Sequence, residues 1–155
     1  MDARLSRMLH LLIHMGRMHG PLTSEAAATM LGTNPVVVRR TMAGLRDAGF
    51  VRSVRGHGGG WSLTCALDEI TMLDVHRALG ENGIFALGPA DPKATCLVEQ
   101  AVNGALASAL REAEALLLRH LAGVTLADIA ADFDLRMADL SPEQIAARTH
   151  KGVVA

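Results

Sequence analysis

The sequence is poor in aromatic residues and in cysteine. Its 155 residues include three phenylalanines, one tryptophan and no tyrosine, so the core must be built from Leu, Val, Ala and Met. Because alanine and leucine are strong helix formers, this composition predicts a mainly helical protein. The two cysteines, Cys65 and Cys96, are too few for the disulfide framework of a small secreted domain.

The sequence also lacks a hydrophobic run long enough to span a membrane. Such a span needs about 18 uninterrupted apolar residues, whereas the apolar segment 8–15 is short and is interrupted by His10 and His14. No positively charged leader with a cleavage site of small residues is evident either. We therefore expect a cytoplasmic protein with no membrane partner.

The small net charge of −1 conceals a strong asymmetry along the chain. Residues 1–64 contain eight arginines and three acidic residues, a net charge of +5, whereas residues 65–155 carry a net charge of −6. Chance clustering would also produce such a split. A positively charged half is nevertheless typical of a segment that binds an anion, with the other half serving a different task.

The first half of the chain has the pattern of three helices. Apolar residues at three- and four-residue spacing predict a helix over about residues 3–19, and Thr23 can cap a second helix that ends at Gly32. Asparagine and proline are favoured at a helix start, so Asn34 and Pro35 begin a third helix that ends near Ala48. Its buried side is expected to comprise Val38, Met42 and Leu45.

Residues 50–63 predict a two-stranded β-hairpin, because apolar residues flank a tip made almost entirely of glycine. Two arginines, Arg52 and Arg55, lead into this tip and suit contact with a phosphate backbone or a narrow minor groove. Two helices joined by three residues including a glycine form a helix-turn-helix, and the following hairpin makes it a winged helix-turn-helix. A winged helix that contacts only other proteins is the alternative, but the arginines favour DNA.

We expect the residues that bind double-stranded DNA to lie in two places, because recognition helices present their N-terminal turn to the bases. On the third helix and the turn before it they are Thr33, Asn34, Pro35, Val36, Arg39 and Arg40; on the hairpin they are Ser53, Arg55, Gly56, His57 and Gly58.

The glycine-rich run 49–63, together with the segment 69–79, resembles the Rrf2 family of bacterial transcription regulators. The resemblance covers about residues 4–126, and it implies a winged helix domain followed by a long dimerisation helix. It also implies a wing arginine at Arg55 and recognition-helix contacts from Thr33 to Arg39. Many members hold an iron–sulfur cluster through three cysteines after this domain. This chain has only Cys96 there, so we expect no cluster and no other cofactor.

The second half of the chain predicts a dimer. After a DNA-binding domain over residues 1–80 and a loop over 81–95, a helix over about 96–122 carries a continuous apolar stripe and would be roughly 40 Å long. A small domain cannot cover such a stripe, which predicts a homodimer interface and a palindromic operator. A short helix from Thr125 to about Phe133 would follow, so that the dimerisation helix and this terminal helix together occupy residues 96–134. The tail over 135–155 shows no clear pattern and is expected to be partly disordered.

Several other residues have more than one interpretation. Cys96 lies near a helix start, which lowers the pKa of a thiol, so it is a candidate sensor of oxidants or electrophiles; a structural role or metal ligation stays open. Cys65 is expected to be a small packing residue, and His10 and His14 lack the acidic partner of a zinc motif. No lysine follows the glycines as in a nucleotide-binding loop. No catalytic arrangement is recognisable, so we expect no enzyme.

Overall fold

The structure of the chain, a computed structural model, describes residues 3–56, 58–80 and 95–148. His57 and nearly all of the predicted loop over residues 81–95 lie outside the described residues. The elements are α1 (Ala3–Arg17), α2 (Ser24–Leu31), α3 (Pro35–Asp47), β1 (Val51–Val54), β2 (Gly60–Leu63), a short 3-10 helix (Leu67–Glu69), α4 (Met72–Ala78), α5 (Leu97–Ala122), α6 (Leu126–Ala138) and α7 (Pro142–Arg148). The chain is thus mainly α, with one two-stranded antiparallel sheet, as predicted.

The hydrophobic core is formed mainly by α1 to α4 together with the two strands. The predicted inward side of α3 is confirmed, because Val38, Met42 and Leu45 are all essentially inaccessible to solvent. They pack in one cluster with Leu11 and Leu12 of α1. Full burial of a leucine side chain contributes about 1.5–3 kcal/mol to folding, so this cluster fixes α3 firmly on the domain.

The turn between α2 and α3 follows from its local sequence. Thr23 caps α2, since its Oγ1 accepts a hydrogen bond from the backbone N–H of Ala26 at 3.1 Å. Gly32 ends α2 with φ +60°, a left-handed conformation that glycine adopts without the steric penalty of a Cβ atom. The N–H of Thr33 then donates to the carbonyl of Ala28 at 3.0 Å. These bonds turn the chain so that α3 can begin two residues later.

The hairpin of β1 and β2 has the predicted position. Its register pairs Val51 with Leu63 and Val54 with Gly60. Gly59 closes the tip by donating its N–H to the carbonyl of Gly56 at 2.9 Å. This hairpin is referred to below as the wing.

Two similar helix starts lie side by side in the structure. Thr71 with Asp74 begins α4, and Thr125 with Asp128 begins α6, each pair forming a reciprocal capping box. The two threonines are themselves paired as an antiparallel bridge. Hydrogen bonds from Thr125 hold the pKa of the Asp128 carboxyl below its usual value. The two segments are joined by backbone hydrogen bonds: the N–H of Met72 donates to the carbonyl of Val124, and the N–H of Leu126 donates to the carbonyl of Ile70, each at 2.9 Å. Because these bonds link the start of α4 to the start of α6, the C-terminal end of α5 is held against the domain.

The C-terminal part of the prediction needs correction. α6 continues beyond Phe133 to Ala138, and α7 lies within the tail over residues 135–155, for which the sequence showed no clear pattern. Arg136 supports the end of α6 by donating to Asp132, one turn earlier, at 2.6 Å. Ser141 and Gln144 form reciprocal hydrogen bonds across the first turn of α7, with proline at its first position, as in a capping box.

Within the part of the chain that the structure describes, none of the helices has the length and apolar character needed to cross a bilayer.

Candidate nucleic-acid interface

The first turn of α3 is organised by Asn34. Its Oδ1 accepts hydrogen bonds from the backbone N–H groups of Val36 and Val37, each at 3.0 Å. The predicted helix cap is therefore confirmed. The cap engages the carbonyl oxygen of the side chain, so the amide nitrogen of this exposed residue is the atom that can donate to a ligand.

The exposed face of α3 combines apolar and cationic side chains. Val36, Arg39 and Arg40 are all exposed, and their i, i+3, i+4 spacing gives them one face of the helix. Thr33 and Pro35 are only partly exposed at the start of this face. The arrangement offers cations for phosphates or guanine edges and a methyl surface for thymine.

Val37 is a candidate contact that was not predicted from the sequence. Val37 is 41% exposed and Val36 is 66% exposed. Valine is ordinarily among the more buried residue types, so two exposed valines in one turn are an unusual apolar surface. The signal was present in the sequence, since the buried positions Val38, Met42 and Leu45 leave Val37 outside the inward side.

The arginines of α3 differ in their acidic neighbours. Arg46 is bound by the adjacent Asp47, with Nη2 and Oδ1 2.8 Å apart. Arg39 lies 3.4 Å from Glu25 of α2, and both side chains are more than half exposed. Exposed ion pairs of this kind contribute at most about 1 kcal/mol. Arg39 can therefore exchange its carboxylate partner for a phosphate at small cost.

The wing presents the other predicted site residues to solvent. Ser53, Arg55, Gly56 and Gly58 are exposed, and Arg52 on β1 is exposed as well. The structure joins the base of the wing to α3, because the N–H of Phe50 donates to the carbonyl of Leu45 at 3.0 Å. The two predicted groups of DNA-binding residues are thus carried by directly connected elements.

The two cysteines have opposite environments. Cys96 is exposed at the N-cap of α5, and the pKa of its thiol is lowered because interaction with the backbone N–H groups of Glu99 and Val98 favours the thiolate. Cys65 is partly buried against the hydrophobic core, and burial raises the pKa of its thiol.

These cysteines do not fit an iron–sulfur cluster. Such clusters are usually held by four cysteine ligands, whereas this chain has two cysteines in all. One of the two packs against the core of the winged helix domain and the other begins α5. Residues 3–56, 58–80 and 95–148 contain no group of three or more His, Cys, Asp or Glu side chains arranged to hold a metal ion.

Comparison with known proteins identifies the family. The Rrf2 family model, described as iron-dependent transcriptional regulators, matches residues 1–132. YffB of Lactococcus lactis, described as an HTH-type transcriptional regulator, is 34% identical over 111 residues, which are 70% of this chain and 71% of that protein. YwnA of Bacillus subtilis, described in the same way, is 30% identical over 129 residues, which are 83% of this chain and 95% of that protein.

A solved structure supports the same fold. The crystal structure of a transcriptional regulator from Lactobacillus plantarum superimposes with a TM-score of 0.72 at 21% identity, over 94% of this chain and 99% of that one. The family and these relatives are transcriptional regulators and not enzymes, as the sequence predicts. The chain therefore belongs to the Rrf2 family of DNA-binding transcriptional regulators.

Proposed function

We propose that this protein is a sequence-specific regulator that binds a palindromic operator as a homodimer and represses transcription from it. The observation that carries the proposal is the exposed arginine-bearing face of α3 beside an exposed arginine-bearing wing, both within a segment of net charge +5. A regulator of this kind acts on chromosomal DNA and therefore works in the cytoplasm.

In this proposal α3 enters the major groove. Arg39 and Arg40 contact guanine edges or phosphates, and the amide nitrogen of Asn34 donates to a base or a phosphate. The exposed side chains of Val36 and Val37 can contact thymine methyl groups. Base contacts supply the sequence preference, whereas phosphate contacts set the register of the helix in the groove.

The wing makes the second contact with DNA. Arg55 lies on the adjacent minor groove or on the phosphates beside it, where a narrow groove concentrates negative potential. The small glycines of the tip, Gly56 and Gly58, let the backbone approach the duplex closely. Ser53 and His57 complete the set of proposed wing contacts.

The proposed dimer interface is the apolar stripe of α5. Three large residues of the predicted stripe are strongly exposed on the single chain, Val98 (71%), Val102 (51%) and Leu106 (52%), and Leu116 (63%), 18 residues after Val98, lies on the same side of the helix. The exposed alanines at positions 105, 109 and 113 lie between them at one-turn spacing and would let two helices approach closely. A helix of 26 residues, about 39 Å long, offers this surface to the same surface of a second copy. Two-fold pairing would then match a palindromic operator.

We further propose that Cys96 makes the regulator responsive to oxidants or electrophiles. Its exposure and its lowered thiol pKa both favour reaction. Hydrogen peroxide would transfer one oxygen atom to the thiolate, giving a sulfenate and releasing water. Because Cys96 begins α5, a modified side chain there would alter the start of the proposed dimer helix and hence the spacing of the two α3 helices.

The direct experiment is a titration of DNA fragments from the region upstream of the gene with purified protein. Retardation of one fragment at concentrations that leave unrelated DNA of equal length unbound is the expected result. Equal retardation of all fragments would contradict sequence specificity, and no retardation at low salt would contradict DNA binding by this chain.

A further inference from the structure

Trp61 of the wing is hydrogen-bonded to the helix that precedes α3. Its indole Nε1–H donates to the hydroxyl oxygen of Ser24, the first residue of α2, at 3.1 Å. Both residues are 8% exposed, although they are 37 positions apart in the sequence. Burial of an indole N–H is costly unless a partner accepts its hydrogen bond, so Ser24 defines where the ring can lie.

The same region is joined by backbone hydrogen bonds. The N–H of Leu22 donates to the carbonyl of Trp61 at 2.9 Å, and the N–H of Trp61 donates to the carbonyl of Leu22 at 2.8 Å. The approach is close enough that a Cβ atom on Gly60 would lie 2.5 Å from the carbonyl oxygen of Leu22. β2 therefore lies against the segment that leads into α2, and a side chain at position 60 would push them apart.

The contact between Trp61 and Ser24 links the wing to α3 through α2. The segment 22–24 pairs with β2 through Leu22, caps α2 through Thr23 and binds the indole through Ser24. α2 packs directly on α3. The wing is held from two sides, by this segment and by its direct connection from the end of α3, so its angle to α3 depends on both.

We propose that the hydrogen bond from Trp61 to Ser24 is a positioning contact that sets the location of Arg55 relative to α3 when the protein binds DNA. This inference rests on the proposed DNA-binding function of the wing. Neither Trp61 nor Ser24 touches DNA in this account, since both are buried; they act through Arg55.

The geometry of the wing explains why a small change at its base matters. Trp61 is directly opposite Ser53 in the sheet, and Arg55 follows two residues later, about 7 Å along an extended chain. A rotation of the wing about its base by about 15° would therefore move Arg55 by about 2 Å. Groups of a binding site work best when they are held to within about 0.5 Å, so a displacement of this size would weaken the contact of Arg55 with DNA.

A thermodynamic cycle tests the proposal. Trp61→Phe removes the indole N–H and keeps an aromatic ring, and Ser24→Ala removes the acceptor. Each is combined with Arg55→Ala and, as a matched control, with Arg40→Ala on α3. Operator affinity is measured for all variants, and thermal melting establishes that each variant is folded at the temperature used.

We expect each single variant at the wing base to weaken operator binding by about three- to tenfold. Arg55→Ala should cost about tenfold in the wild-type protein, but about threefold or less when Trp61 or Ser24 has been replaced. Arg40→Ala should cost the same factor in every background. If Trp61 and Ser24 only stabilised the fold, Arg55→Ala and Arg40→Ala would each reduce operator affinity by the same factor in every background. An Arg55→Ala effect that does not change when Trp61 or Ser24 is replaced would therefore overturn the proposal.

Trp61 also supplies a spectroscopic readout, because it is the only tryptophan in the chain. The protein has a single indole N–H resonance, which should exchange slowly with solvent in the wild type and much faster in Ser24→Ala. If Trp61→Phe fails to fold, Ser24→Ala carries the whole test. Equal exchange rates in the two proteins would contradict the contact itself. Absence of DNA binding by the wild-type protein would instead contradict the proposed function, which separates the two failures.

Discussion

The carboxylate of Glu25 in α2 lies 3.4 Å from the guanidinium Nη1 of Arg39 in α3. An acidic residue is therefore directly beside a cation proposed to contact DNA. We expect Glu25 to have two opposite effects there, since it would orient Arg39 before binding and would repel an approaching phosphate. The pair is exposed, so its contribution to stability is small, and its main effect is expected on DNA binding.

Replacement of Glu25 should strengthen binding to DNA of any sequence. Glu25→Gln removes the negative charge and leaves a side chain of the same length, so Arg39 can contact phosphate without losing a carboxylate. We expect the affinity for non-operator DNA to rise about two- to fivefold at low salt, as measured by fluorescence anisotropy. Asp47→Asn is the matched control at the opposite end of α3. An unchanged or lower affinity of the Glu25 variant would contradict the competing role of this carboxylate.

Much of the fold of the N-terminal half follows from the sequence because its signals are local. The cap at Thr23, the left-handed glycine at Gly32 and the Asn34–Pro35 start each concern residues within a few positions of one another, and all three are found in the structure. Periodicity also locates the buried side of α3. The glycine-rich tip also predicts the wing, because the tip and the strands that flank it are close together in the sequence.

Contacts between distant residues could not be predicted in this way. The Trp61–Ser24 bond and the Glu25–Arg39 pair each join different elements, and their partners depend on how those elements pack. No local pattern indicates that Thr71 and Thr125 pair as a bridge. By contrast, the start of α7 has a local signal that was not used in the prediction: Ser141 and Gln144 with a proline between them.

Asn34 should contribute separately to stability and to recognition. Asn34→Ala removes the cap of α3 and should lower the free energy of unfolding by about 0.5–2 kcal/mol, measured by urea denaturation. Asn34→Ser keeps a good capping oxygen but lacks the amide nitrogen. It should retain most of the stability and still lose operator affinity. Wild-type affinity in Asn34→Ser would show that the amide makes no contact with DNA.

A charge in the apolar stripe of α5 should separate the proposed dimer. Leu106→Glu places a carboxylate in the middle of the interface, where burial without a partner is unfavourable. We expect a monomer by light scattering and a large loss of operator affinity. Leu135→Glu is the control, because Leu135 is also strongly exposed, at 71%, but lies on α6. Identical masses for the Leu106 variant and the wild type would argue against this interface.

The two cysteines should react with iodoacetamide in different pH ranges. The thiolate is the reactive form, so a lowered pKa makes Cys96 reactive at lower pH than an ordinary cysteine, and a raised pKa shifts Cys65 to higher pH. Peptide mass spectrometry over a pH series should therefore show Cys96 alkylated first. Equal rates at both positions would remove the basis for sensing at Cys96.

Cys96→Ser should retain DNA binding and no longer release the operator after oxidant treatment.

The central claim is that α3 and the wing contact DNA in the same complex. It is tested most directly by measuring how operator affinity depends on salt concentration, for the wild-type protein and for Arg55→Ala. Each phosphate contact contributes about one unit to the slope of log affinity against log salt concentration. We predict a steep slope for the wild type and a slope shallower by about one unit for Arg55→Ala. Equal slopes for the two proteins, or an affinity independent of salt, would contradict the account.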